Sequence, residues 1–178
     1  REAVTNIADH LISLGHKDIG FIKGPTNSKS AAERHEAFRH TLEENGIQLA
    51  SHHIATGANT FQSGVDCAAQ LLKSDNPPTA IFASNDEMAI GVMVTAQKMG
   101  IKIPSELTII GFDDNPQASK VWPALTTVNL QVKEMGKLAT QKLLALCSNN
   151  FDMAKSVNSE LLPTLIQRET TAPPHNRQ

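Results

Sequence analysis

The sequence predicts an α/β fold, a parallel sheet with helices on both faces. Three observations predict it. Short apolar runs alternate with longer stretches of helical periodicity; Gly, Pro, Asn and Asp mark the joints; and the clearest runs are apolar at every position. Continuous apolar strands belong to sheets covered on both faces, and strand–helix alternation implies right-handed βαβ units.

The elements follow in order. Ala3, Val4, Ile7, Ala8, Leu11 and Ile12 recur at helical spacing, with Gly15 placed to end that helix. Ile19 to Ile22 reads as a short buried strand closed by Gly24-Pro25. A second helix runs from about Ser30 to Asn45, with Phe38 and Leu42 four apart and Gly46 as its stop. His53 to Thr56 is the next strand candidate. Phe61, Val65, Ala68 and Leu72 then mark a third helix, ended by Pro77-Pro78. Thr79 to Ala83 is the clearest strand, and Ser84-Asn85-Asp86 supplies capping residue types for a helix over Glu87 to Met99. Leu107 to Phe112 gives another apolar strand, followed by Asp113-Asp114. Between about Gln131 and Cys147 the chain reads as an amphipathic helix, with Val132, Met135, Ala139, Leu143 and Leu146 along one side. Ala172 to Gln178, with its Pro173-Pro174, reads as a disordered tail.

Composition sets the outer limits. The 178 residues carry 16 Lys+Arg against 18 Asp+Glu, a formal charge of −2. Gripping phosphates needs a clustered positive field, so this segment is not expected to bind nucleic acid itself. No apolar run approaches the ~20 residues of a membrane span. The two cysteines, Cys67 and Cys147, make no disulfide framework and fit a reducing, cytoplasmic compartment. The chain starts at Arg1 rather than Met, which reads as a piece of something longer.

In an open parallel sheet ligands bind at the carboxyl ends of the strands. Thr26, Asn27, Ser28, Lys29, Ser30 and Arg34 follow the first strand, Asn59 and Thr60 the second, Asn85 and Asp86 the third, Asp113, Asp114 and Asn115 the fourth. That set of hydroxyls, amides, carboxylates and a guanidinium suits a polyhydroxylated small molecule. Each also has a structural reading: Ser30, Asn85 or Asp86 as helix caps, Asp113-Asp114-Asn115 as Asx-turns, Arg34 as a surface residue. Enzymatic signatures are missing. There is no G-x-G-x-x-G, no G-x-x-x-x-G-K-[ST] and no G-x-S-x-G. The seven histidines are scattered, and adjacent His52-His53 would point to opposite faces of a strand, so neither metal nor cofactor is expected.

The order of motifs resembles the lactose/galactose repressor family. Leu11-Ile12-Ser13-Leu14-Gly15-His16, running on to Gly24-Pro25, is similar to its "L-G-H-x-x-I-x-x-I-x-G-P" signature. Arg34 and Phe38 follow at the family's spacing, with Ala37 in place of a Gly. Ala80 to Gly91 resembles "A-I-F-A-x-N-D-x-M-A-x-G", Ile103 to Asp114 resembles "I-P-x-D-L-x-I-x-G-F-D-D", and Pro123 to Val128 resembles "P-x-L-T-T-V".

The resemblance implies a two-lobed, type I periplasmic-binding-protein-like core that senses an effector below a DNA-binding helix-turn-helix. Residues 1–128 would be the second lobe, 129–150 a returning segment of the first lobe, and 151–171 the closing segment of the second. It implies effector contacts from Ser28, Ser30, Arg34, Asn85 and Asp113. Asn59 stands where many members stack an aromatic ring, with Trp122 as a substitute. It also implies a homodimer through the third and fourth helices, with Phe61, Val65, Ile90 and Val94 at the interface. Operator DNA would be met only through the upstream head. The alternatives are a periplasmic sugar-binding protein serving a transporter or chemoreceptor, and a small α/β enzyme.

Overall fold

The structure is a computed structural model that describes residues 2–148 and 161–175. Strands β1 (Ile19–Lys23), β2 (Ile54–Thr56), β3 (Ala80–Ala83) and β4 (Thr108–Ile110) form a parallel sheet in the order β2-β1-β3-β4. Register is set by pairs such as Phe21 with Ile54, Phe21 with Phe82, and Phe82 with Ile110. The chain steps outward from β1 to β2, then crosses back to β3 on the other side of β1. The reversal leaves a crevice at the carboxyl ends of β1 and β3, where such folds place their ligands.

Alternation along the strands sends side chains into two cores. Ile19, Phe21, Ala80, Phe82 and Ile110 face α1 (Glu2–Ser13) and α2 (Lys29–Glu44). Ile22, Ile81, Ala83 and Ile109 face α3 (Phe61–Leu72) and α4 (Asp86–Lys98). Phe21, Phe38 and Phe82 are fully buried, with ring centres 5.0 to 5.3 Å apart. Burying each such side chain contributes roughly 1.5–3 kcal/mol, so this cluster dominates the first core. On the other face, α3 and α4 meet backbone to backbone. A Cβ at Gly64 would lie 2.3 Å from the Met88 carbonyl oxygen, and one at Gly91 would lie 2.4 Å from that of Phe61. Only glycine allows that approach.

Strand β5 (Thr127–Asn129) leaves the sheet edge, where Thr126 bridges Ile110, and pairs antiparallel with β6 (Thr164–Ile166). The chain then returns to the edge of β4, where the Ile109 amide donates to the Thr170 carbonyl. Between these strands lies α5 (Val132–Cys147).

Three expectations need correction. Strand β4 stops at Ile110, because the Gly111 and Asp113 amides donate instead to Thr126 and Val128 of the departing chain. His52 and His53 belong to a 3-10 turn, Ser51–His53, and not to a strand; His53 Nε2 meets the Asn76 carbonyl oxygen at 2.7 Å. The tail is held at its first residue, since the Ala172 carbonyl accepts from Thr108 Oγ1 and meets buried His16 Nε2, both at 2.9 Å. Residues 176–178 of that expected tail lie outside the described residues.

The amphipathic helix expected between Gln131 and Cys147 is present as α5, with its apolar side open: Val132, Met135, Leu143 and Leu146 are exposed, and Ala145 is its only buried residue. The two faces of the parallel sheet are already covered, by α1 and α2 on one side and α3 and α4 on the other.

Candidate functional site at the carboxyl edge of the sheet

The turn after β1 begins the site. Ser28 caps α2, its hydroxyl accepting from the Ala31 amide, and its Oγ lies 3.1 Å from Ser30 Oγ. Ser28, rather than Ser30, is therefore the cap. One turn into α2, Arg34 reaches over β1 and donates from Nη1 to the Ser84 carbonyl at 2.7 Å. Its guanidinium carbon lies 4.2 Å from the centre of the Phe112 ring. Arg34 is thus fixed at both its planar face and one edge, leaving the rest of its fork for a ligand.

Asp113 stands beside this pair, at φ 106°. Burial raises the Asp113 carboxyl above its ordinary range and the Arg34 charge opposes that rise. Burial likewise lowers the Arg34 guanidinium, and Asp113 pulls it back. The two charges offset one another across an open site, where incoming hydroxyls can bond to either.

Asn85 caps α4 through Oδ1, accepting from the Met88 amide, while its Nδ2 donates to the Asn59 carbonyl at 3.0 Å. The structural and functional readings of Asn85 are compatible, because a carboxamide keeps a second N–H and a second lone pair. Asn59 takes φ 59°, and its Oδ1 would lie 2.9 Å from a Cβ at Gly24. The loop after β2 is thereby folded over the end of β1. Beside Arg34 and Phe112 opens a cavity of about 700 Å³, walled also by Ser30, Leu130, Met135 and Pro163.

Ser28, Ser30, Arg34, Asn59, Asn85 and Asp113 therefore stand on one edge. Trp122 does not join them. Its carbonyl accepts from Gln97 in the last turn of α4, while Asn85 caps the first, and its side chain is 79% exposed. Thirteen residues of helix span about 20 Å, which puts the indole's backbone at the far end of the lobe.

Sequence reasoning missed Phe112, assigned only to a strand, and placed Asp86 at the strand end as a cap or ligand group without showing its burial. Asp86 is 1% exposed and accepts from Thr127 Oγ1 and the Asn115 amide, both at 2.6 Å. Burial pushes its carboxyl up to about 6 against those two hydrogen bonds, with the charges of Asp113 and Asp114 adding to the rise. Its place directly after Asn85 hid that burial, since both read as caps. Among the described residues no cluster of His, Cys, Asp and Glu could hold a metal ion.

A two-sided sheet with a polar crevice at its carboxyl edge, and a chain that leaves and returns at one side, is the form of a hinged ligand-binding lobe. The chain belongs to the periplasmic binding protein-like domain family, whose model matches residues 8–171. Curated relatives are transcription regulators. The probable repressor ExuR of Bacillus subtilis is 34% identical over 164 residues, covering 91% of this chain and 49% of that protein. The regulator GalS of Salmonella typhimurium is 35% identical over 162 residues, covering 91% and 47%. Among solved structures, a sugar-binding transcriptional regulator of the LacI family from Escherichia coli, complexed with phosphate, matches at TM-score 0.84 and 31% identity, covering 97% of this chain and 61% of that one. A dimeric Lac repressor matches at TM-score 0.84 and 28% identity, covering 97% and 62%. The chain spans about half the length of the curated relatives it matches. Among the described residues no helix is long and apolar enough to cross a membrane.

Proposed function

We propose that this chain is the effector-sensing part of a cytoplasmic transcription regulator, with no chemical step of its own. The observation that carries the reading is Arg34, held on Phe112 and Ser84, facing Asp113 at the carboxyl edge beside Asn85. Such a pair offers donors and acceptors together, which suits a sugar, a sugar derivative or another polar ring. Ser28, Ser30 and Asn59 extend the same surface. The regulator relatives favour this role over a periplasmic sugar-binding protein of a transporter.

In this reading residues 1–128 form the second lobe, 129–150 return from the first, and 151–171 close the second. The exposed side of α5 is then the surface on which the rest of a first lobe packs. Ligand bound between lobes favours one lobe angle, and that angle sets how two DNA-binding heads are spaced. Phe61, Val65, Ile90 and Val94 lie on the outer side of α3 and α4, none fully buried. They form the two-fold dimer interface of this proposal.

A thermal-shift screen of sugars, sugar acids and nucleosides tests it. One class is expected to raise the melting temperature of the chain, and Arg34→Ala and Asp113→Ala are expected to abolish the rise. Loss of one charge-assisted hydrogen bond costs about 1.5–3 kcal/mol, or roughly tenfold or more in affinity. Both variants binding as the parent does would sink the site.

A further inference from the structure

Asp113 and Asp114 are neighbours in sequence with different surroundings. Asp113 is set against Arg34 at the ligand edge. Asp114 turns the other way, into the two segments that leave and re-enter the lobe. Its Oδ2 accepts from Asn129 Nδ2 at 2.8 Å, on β5. Its Oδ1 accepts from Arg168 Nη2 at 2.6 Å, just after β6, in an ion pair whose side chains are 19% and 16% exposed. Its amide donates to Thr127 Oγ1, and Arg168 Nη1 donates to the Leu125 carbonyl. Asp86 completes the linkage, holding Thr127 with one oxygen and the Asn115 amide with the other.

We propose that Asp114 is the positioning residue that couples the ligand position at Asp113 to the two crossing segments. The coupling is geometric. Asp113 and Asp114 take φ 106° and 52°, an unfavourable pair for residues with side chains, and such a turn persists only where its surroundings over-determine it. A ligand that shifts Asp113 moves Asp114 with it, because no flexible residue separates them. The Asp113 amide already holds Val128 of β5, and Asp114 ties that strand to the segment after β6, since one carboxylate holds both. A two-state element biased from both sides is what transmission between sites requires. The coupling rests on the effector-sensing reading; the clamp itself does not.

Hydrogen exchange on the 178-residue chain tests the clamp without any ligand. Asp114→Asn and Arg168→Gln are each expected to speed exchange of the 127–129 and 164–166 amides at least fivefold. The double variant should add little more, and strands β1 and β3 should be unchanged. Asp113→Asn should leave all of these within twofold. Asn129→Ala provides a milder break of the same clamp should Asp114→Asn fail to fold. Unchanged exchange at 127–129 and 164–166 in Arg168→Gln and Asn129→Ala would overturn the proposal.

A second arm uses D-galactose, D-glucuronate, cellobiose and guanosine as probes. For a compound that binds the parent, Asp114→Asn should keep affinity within threefold but lose most of the ligand-induced protection at 127–129 and 164–166. Equal protection in parent and variant would overturn the coupling. If none of the four binds the parent, the sensing reading fails and the coupling with it, while the first arm still decides the clamp.

Discussion

The Arg34 guanidinium rests on the Phe112 ring, 4.2 Å from its centre, with Nη1 tied to the Ser84 carbonyl. Phe112 is 3% exposed, so the platform is part of the core and the cation is part of the site. Ligand contact and hydrophobic packing thus meet at one ring. Replacing Phe112 by Leu keeps an apolar side chain but removes the π face, worth about 0.5–2 kcal/mol. Effector affinity should fall roughly two- to thirtyfold, and the melting temperature without ligand should also fall modestly, because a smaller side chain leaves a gap where the buried ring stood. A ligand titration and a thermal melt on the same variant check both halves, and undiminished affinity would contradict the platform role.

Asp86 should make stability pH-dependent in an unusual direction. Its folded-state carboxyl is raised to about 6 from an ordinary 3.8, mainly by burial. Folding therefore favours the protonated form, and that contribution is present below the ordinary value and lost as pH rises through about 6. Asp86→Asn lacks this term. Its stability relative to the parent should improve between pH 4 and pH 7, by up to about 3 kcal/mol. Denaturant melts at several pH values measure the difference, and a flat difference would exclude the assignment.

His16 should act with the opposite sign. It is 1% exposed, with Nδ1 2.9 Å from Thr79 Oγ1 and Nε2 2.9 Å from the Ala172 carbonyl oxygen. Burial lowers its pKa below 6.5, with the Ala172 hydrogen bond opposing and His10 adding to the decrease. The unfolded chain thus takes up the proton first, so stability present above the ordinary value is lost on acidification. His16→Leu should lose about 1–3 kcal/mol at pH 7 through the partners it strands. It should also decline less than the parent between pH 7 and pH 5. A parallel decline would show that His16 does not titrate as described.

The proposed dimer face gives a fourth expectation. Phe61 and Ile90 share the wall of a shallow cavity with Glu87, Asn115 and Gln117 on the outside of α3 and α4. Phe61 is 40% exposed in a single copy. Ile90→Arg would place a charge in the centre of that face, at a half-buried residue that packs on the core under α3 and α4, so it should shift sedimentation from dimer to monomer with a modest fall in melting temperature. A parent that sediments as a monomer at high concentration would remove the interface.

Local pattern determined much of this protein. The apolar runs Ile19 to Ile22 and Thr79 to Ala83, together with helices of 3.6 periodicity, are enough to define strands, helices and two-sided burial. Strand ends follow from strands, so Ser28, Arg34, Asn85 and Asp113 were legible as one edge before any coordinates. Tertiary structure alone decided what those residues touch. Nothing in the pattern says that Arg34 lies on Phe112, because that contact joins residues 34 and 112 through the packing of α2 over β1 and β3. Local pattern does not separate Asp113 from Asp114, which only the family resemblance distinguished, since their difference is the direction each takes in a turn of positive φ. Trp122 was misplaced for the same reason, its aromatic character being local and its end of the lobe not. The amphipathic period of α5 was correctly legible, but a period states only that one side is apolar. What covers that side depends on surfaces that other parts of a fold supply, and the faces of this sheet are already occupied by α1 to α4.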